Sequence, residues 1–288
     1  MKKSFFFFEN IRLIIGYVDH TNMQKSISVV FDSAGTLLHM YRVAKDIGSG
    51  RIITGVESTA LVAQRKGRAL IVLHTEPAVI LGVDRNMRVI DFIDDHGIAI
   101  DISCASIPFS LDEAYDIIKD SDIKVGDILQ VVDVVKVHCP KIFYVAAGII
   151  VDSNDHSVPY VLSTGGRMFH DTKDTVGQLK ARGVDVYIAS GDSRRNLRQL
   201  AECIDIPMER VYDIATTREK ARIILDLKEK YDSVMMVGDG LNDILALRAA
   251  DIGVVTLQQG DERPEKLERS ADMVIRDIGE VLGIVDSL

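Results

Sequence analysis

VMMVGDGLND, residues 234–243, is the stretch that decides the fold. It opens with the continuous apolar run expected of a strand buried on both faces. Gly238 and Gly240 then permit a tight turn, which leaves Asp239 at the strand end and Asp243 four residues later, where NDILALRAA reads as a helix. A buried strand that delivers carboxylates at its C-terminal end and runs directly into a helix is half of a strand-helix-strand unit. Working outward, the same rhythm recurs. HDTKDTVGQLKARG reads as a helix closed by Gly183, VDVYIAS as a strand, SRRNLRQLAECI as a helix and RVYDI as a short strand. TTREKARIILDLKEKY opens with Thr216 and Glu219 in capping-box spacing, and IGVVTL follows as a further strand. Strands alternating with helices over short connections require a parallel sheet covered by helices.

One more buried-strand signal, ISVVF at residues 27–31, lies far upstream and is assigned to the same sheet. The stretch from Tyr41 to Pro159 has a different texture. ALIVLH, VILGVD, ILQVVDVV and IFYVAAGIIV read as short strands, and SLDEAYDIIKD as a helix. The expected architecture is α/β: a Rossmann-like parallel sheet core over 26–40 and 160–288, with an inserted α+β cap domain over 41–159. Met23 stands immediately before the first strand, so residues 1–25 are set apart as an N-terminal extension. Gly48-Ser49-Gly50 reads as a flexible linker.

Composition bounds the partners. A hydrophobic fraction of 47% with 27% charged residues excludes a disordered or fibrous chain. A net charge of −9 makes the average surface repel phosphate backbones and anionic lipid, so neither nucleic acid nor a membrane is an expected partner. The apolar start MKKSFFFF is interrupted by Glu9, Asn10 and Arg12 with no small-residue cleavage site after it, and no export is expected. Cys104, Cys139 and Cys203 are odd in number and scattered, which points to reduced thiols and the cytoplasm.

Four segments supply what a phosphoryl-transfer site needs, each at a strand end or helix start. In VVFDSAGTLL, Asp32 ends a strand and is placed to attack phosphorus, with Gly35 allowing the turn. In YIASGDS, Ser190 ends a strand and Gly191 leaves backbone N–H groups open to phosphate oxygens. Lys220 sits in the first turn of the helix that begins near Thr216, where a point charge and a helix N-terminus both favour phosphate; Arg218 and Arg222 are alternatives for that role. Asp239 and Asp243 join Asp32 as hard oxygen donors suited to Mg2+.

In this order, Asp32-x-x-Gly35-Thr36, Ser190-Gly191-Asp192, Lys220 and Gly238-Asp239-Gly240-x-Asn242-Asp243, the segments resemble the haloacid dehalogenase-like superfamily of phosphotransferases. The phosphorylation domain of P-type ATPases is the nearest likeness. The resemblance covers about residues 27–40 and 160–275 and implies a Mg2+-dependent phosphohydrolase acting through an aspartyl phosphate. It implies Asp32 and Lys220 as catalytic residues and Ser190, Gly191, Lys220 and Asn242 as phosphate-binding residues. Asp32, Asp239, Asp243 and the backbone carbonyl of Ala34 would hold the metal, with Asn242 and Asp243 ordering the site. The expected partner is a small phosphorylated substrate, with ATP among the candidates.

One position departs from the pattern. Most phosphatases of the superfamily carry, two residues after the nucleophile, an aspartate that acts as acid and base; here it is Ala34. Attack by Asp32 depends on positioning and charge neutralisation and is unaffected, but hydrolysis of the aspartyl phosphate is expected to be slow. Three alternatives stay open at this level: a low-turnover phosphate- or nucleotide-binding regulator, an ATPase subunit working with a separate protein, and a phosphonatase-like hydrolase. The last needs a Schiff-base lysine, for which Lys45 and Lys66 are the positional candidates. Lys66-Gly67 is also similar to a lysine-glycine pair that contacts nucleotide in some pumps, although RKGR reads equally as a surface turn. His74, His96 and His138 show no ligand spacing. Asp171 and Lys173 are read either as braces of the site or, for Asp171, as a helix cap.

Overall fold

A computed structural model describes residues 25–75, 77–139, 144–260 and 264–288. The extension 1–25 lies outside them except for Lys25. The first strand, β1 (Ile27–Phe31), leads into β2 (Leu38–Asp46) and β3 (Ile52–Thr54), followed by helix α1 (Ser58–Ala63) and strand β4 (Arg68–His74). Helices α2 (Pro77–Leu81) and α3 (Val89–Asp95), strand β5 (Ala99–Ala105) and helices α4 (Leu111–Asp120) and α5 (Val125–His138) come next. The long hairpin of β6 (Tyr144–Asp152) and β7 (Ser157–Met168) then returns the chain to the first sheet.

All of these strands except β1 form one antiparallel sheet in the order β3-β2-β7-β6-β4-β5. Its strands alternate faces as the pleat requires: in β4, Ala69, Ile71 and Leu73 enter the core formed with α3, α4 and α5, while Leu70 packs with α1 residues Leu61 and Val62 on the other face. The ribbon of β2 and β7 ties this lobe to the first one. Leu38 and Met40 belong to the core of the first lobe and Val43 and Val161 to that of the second, so the two strands run past residues 40/41 and 159/160. Gly48-Ser49-Gly50 is the tight turn between β2 and β3, closed by the Gly50 N–H donating to the Asp46 carbonyl at 2.8 Å.

Two apolar runs expected as strands are helices. ILQVVDVV lies inside α5, and VILGVD overlaps α2. Val125, Ile128, Leu129, Val132 and Val135 share the buried face of α5, a spacing of three and four residues. The β-branched composition favours a strand locally, but tertiary burial of a helical stripe overrides that weak preference. Helices α1 and α3 were likewise not expected; only α4 was.

The rest of the chain alternates as expected through α6 (Thr172–Ala181), β8 (Asp185–Ala189), α7 (Arg194–Cys203), β9 (Val211–Tyr212), α8 (Thr217–Lys228), β10 (Ser233–Gly238), α9 (Ile244–Ala249) and β11 (Ile252–Thr256); α10 (Glu265–Glu268), β12 (Met273–Ile275) and α11 (Glu280–Val285) follow without a counterpart in the sequence reading. The Thr216–Glu219 capping box is present and opens α8. With β1 these strands form a parallel sheet in the order β12-β11-β10-β1-β8-β9. From β1 the chain fills one side of the sheet through β8 and β9, then crosses to β10 on the other. That reversal puts the ligand crevice at the C-terminal ends of β1 and β10.

Candidate active site

Asp32 follows β1, and its N–H donates to the Val237 carbonyl of β10 at 2.9 Å. Asp239 follows β10, and Asp243 folds back beneath it. Glycines make this approach possible. A Cβ on Gly238 would lie 2.6 Å from the Asp243 side chain, and one on Gly35 would lie 2.0 Å from an Asp239 carboxylate oxygen. Gly35 also has φ +85, in the left-handed region that L side chains rarely adopt. We expect Gly35→Ala to lower activity on the order of 10²-fold by displacing Asp239, since a small misplacement of a reacting group has effects of that size. Comparing kcat with thermal melting tests this; unchanged kcat would show that the Asp32–Asp239 spacing tolerates the change.

Acidic oxygens from Asp32, Asp239 and Asp243 all lie within 4.8 Å of one another. Lys220 is fully buried, and its Nζ donates to Asp32 Oδ1 at 2.5 Å and to Asp243 Oδ1 at 2.7 Å. It lies on the inner stripe of α8 with Ile223, Ile224 and Leu227, whereas Arg218 and Arg222 are exposed; only Lys220 of the three reaches the cluster. Burial pushes the Asp32 carboxyl well above the usual carboxylate range, with Lys220 opposing the shift and Asp243 and Asp239 adding to it. Burial also works against the Lys220 ammonium, but Asp32 and Asp243 outweigh it and the net shift is upward. Lys220 therefore stays charged. Three carboxylates facing one ammonium make a donor set that fits a small hard dication, which would offset the remaining negative charge. Asp243 Oδ2 also accepts from the Gly240 N–H at 3.0 Å, so both of its oxygens are already engaged in ordering the loop.

Ser190 is buried at the end of β8, and its Oγ lies 2.8 Å from Ser33 Oγ. Ser33 donates to Asp192 Oδ2 at 2.7 Å, which locks the loops after β1 and β8 together. Asp192 belongs to the Ser190-Gly191-Asp192 motif without a role of its own assigned from sequence, and Ser33 is not singled out there. Over this cluster opens a cavity of about 370 Å³, with Asp32, Ala34, Ser190, Gly191, Asp239 and Asn242 in its wall. The second lobe closes it with Arg42, Glu57 and Thr59, none of them legible from the sequence.

Several other expectations fall elsewhere. Lys45 pairs with Asp127 at 2.6 Å inside the second lobe, and neither it nor Lys66 is in the cavity wall. Asp171 stands at the N-cap of α6 without a side-chain cap bond; it pairs with His170 at 2.6 Å, outside that wall. Lys173 is also outside it.

Carboxylates at the switch point of a parallel sheet, paired to a buried lysine, suit an enzyme of the phosphoryl-transfer class. A family model described as haloacid dehalogenase-like hydrolase matches residues 28–251. Over 259 residues the chain is 33% identical to the soluble P-type ATPase-like phosphatase of Methanocaldococcus jannaschii, a match covering 90% of this chain and 92% of that protein. A stretch of 102 residues, 35% of the chain, is 30% identical to the probable copper-importing P-type ATPase A of Enterococcus hirae and spans 14% of it. Among solved structures, the catalytic domain of the CPx-ATPase CopB-B is similar at 16% identity and a TM-score of 0.46, covering 90% of this chain and 88% of that one.

The chain belongs to the haloacid dehalogenase-like hydrolases and is a phosphohydrolase. Hydrolases of this family generally use a divalent metal, and the carboxylate cluster fits one. No helix among the described residues is long and apolar enough to cross a membrane.

Proposed function

We propose that the protein is a Mg2+-dependent phosphatase that works through an aspartyl phosphate on Asp32 and hydrolyses that intermediate slowly. The observation that carries this is the cluster of Asp32, Asp239, Asp243 and Lys220, with Asp32 and Asp239 in the cavity wall. Asp32 attacks the phosphorus of a small phosphorylated substrate, and the bond to the leaving group breaks. Lys220, Ser190, Asn242 and the backbone at Gly191 hold the phosphoryl oxygens. Mg2+, held by Asp32, Asp239, the Ala34 carbonyl and Asp243, would supply charge neutralisation as the phosphoryl group transfers.

With Ala34 in the acid/base position, a leaving group that departs without protonation, such as ADP from ATP or the carboxylate of an acyl phosphate, suits the site best. The likeness of one third of the chain to P-type pumps supports ATP as a candidate donor. The free thiols Cys104, Cys139 and Cys203 suit the reducing cytoplasm.

Incubation with p-nitrophenyl phosphate, acetyl phosphate and ATP, with Mg2+ or with EDTA, tests the reading. We expect phosphate release and an acid-stable phosphoprotein only with Mg2+. Absence of both with every donor would leave a binding protein in place of an enzyme of this mechanism. Ala34→Asp is expected to shorten the lifetime of the label on the order of 10²-fold, the lower end of general acid-base effects. An unchanged lifetime would mean that Ala34 does not limit hydrolysis.

A further inference from the structure

Loss of the aspartate at position 34 leaves the second half-reaction without a base from the first lobe, yet the wall of the same cavity contains a carboxylate from the other lobe. Glu57 reaches it through a tightly built turn. Strand β3 pairs with β2 up to Thr54 opposite Val43, and Gly55 then reverses the chain with φ +65. The N–H groups of Gly55 and Val56 both donate to the Arg42 carbonyl, at 2.9 and 3.3 Å. The Glu57 carbonyl in turn accepts from Ala60 and Leu61 at 3.0 and 3.1 Å as α1 begins. The backbone on both sides of Glu57 is therefore fixed. Its carboxylate lies 3.4 Å from the Arg42 guanidinium, which also lines the cavity.

The base of this structure is in turn tied to the first lobe, whose Asp32 lines the same cavity. Gln259, in the loop after β11, accepts from the Met40 N–H at 2.7 Å and donates to the Met40 carbonyl at 3.0 Å. This is a two-point clamp of a side-chain amide on the β2 backbone two residues before Arg42. Gln258 beside it donates to the Thr36 carbonyl at 2.6 Å. The chain of contacts runs from the first lobe through Gln259, Met40 and Arg42 to Glu57. The Glu57 side chain itself remains 61% exposed, so a water molecule has access to it.

On the reading that Asp32 carries the phosphoryl group, we propose that Glu57 is the general base that hydrolyses it, in the role that Ala34 cannot fill. Water attacks phosphorus and a new P–O bond forms. The P–O bond to Asp32 breaks, its electron pair returning to the Asp32 carboxylate. The proton of the attacking water passes to Glu57, and inorganic phosphate leaves. Arg42 is a positioning residue that aims the Glu57 carboxylate. A base that approaches from a second lobe, rather than from the turn beside the nucleophile, gives catalysis weaker than an aspartate at position 34 would.

The test separates formation of the intermediate from its decay. Wild type, Glu57→Gln, Ala34→Asp and the double variant are labelled with acetyl phosphate and Mg2+, and the decay of acid-stable label is followed after a chase. Label formation at an unchanged rate, with decay slowed on the order of 10-fold or more in Glu57→Gln and restored by Ala34→Asp in the double variant, is the expected result. Equal decay in wild type and Glu57→Gln, with label present, overturns the role of Glu57 and leaves Asp32 as nucleophile untouched. A change confined to the rate of label formation also overturns it, because it assigns Glu57 to substrate binding. Absence of label in every variant removes the intermediate on which Glu57 acts and overturns both readings. Because Glu57 is exposed, its isosteric replacement leaves the fold intact, which a melting curve checks.

Discussion

Asp32→Asn is expected to lose about 10⁴-fold or more of the phosphatase activity and all acid-stable label, because an amide cannot form the acyl phosphate that divides the reaction into two steps. The same substitution is expected to raise thermal stability in EDTA. The Asp32 carboxyl is held above its ordinary range chiefly by burial, so the folded protein takes up a proton there more readily than the unfolded chain. Stability from this group is present at acid pH and is lost as pH rises through the elevated value. A neutral Asn removes the penalty at neutral pH while leaving Lys220 paired to Asp243. Melting curves in EDTA at pH 5 and pH 8 check this: the stabilisation by Asp32→Asn is expected to be larger at pH 8. A variant that retained label would transfer the nucleophile to another residue. One that melted lower at pH 8 would show that the Lys220 pair outweighs burial.

Lys220→Met is expected to give the largest loss of stability of any single change in the site. It removes the one ammonium that donates to both Asp32 and Asp243, in a position with no exposed surface. Breaking a buried pair by deleting one partner typically costs about 3–5 kcal/mol, because the remaining charge has no compensation. Denaturant unfolding in EDTA measures the effect, and Mg2+ is expected to recover part of it by taking over the charge balance. Activity is expected to fall as well, because the Lys220 ammonium donates to Asp32 Oδ1 and holds that carboxylate in place. The double variant Asp32→Asn, Lys220→Met is expected to be more stable than Lys220→Met alone, a coupling that a double-mutant cycle quantifies. If the two effects simply add, the 2.5 Å contact contributes nothing to folding in solution.

Much of this site is legible along the chain because each part is local. A buried strand followed by glycine and aspartate sets where Asp32, Ser190 and Asp239 emerge, and a Thr216–Glu219 capping box sets where α8 starts. From sequence Lys220 is favoured, with Arg218 and Arg222 as alternatives. Its place on the stripe with Ile223, Ile224 and Leu227 puts it alone of the three against the carboxylates, since a cation on the apolar face of a helix must find partners inside. The second lobe is less legible. Its β-branched segment ILQVVDVV satisfies a strand preference and a helical stripe at once, and the sheet it packs against selects the helix.

The sequence by itself determined the parallel sheet, the order of its strands along the chain and the four segments of the first lobe, because strand-end turns and glycine requirements are properties of a few adjacent residues. Only the tertiary structure decided which residues of the insertion meet them. Gln259 finds Met40 across 219 positions, and that clamp, with the turn at Gly55, puts Arg42 and Glu57 in the wall of the cavity that Asp32 also lines. Neither partner carries a local signature. Their pairing depends on the closure of one lobe over the other, which periodicity and motif spacing do not encode.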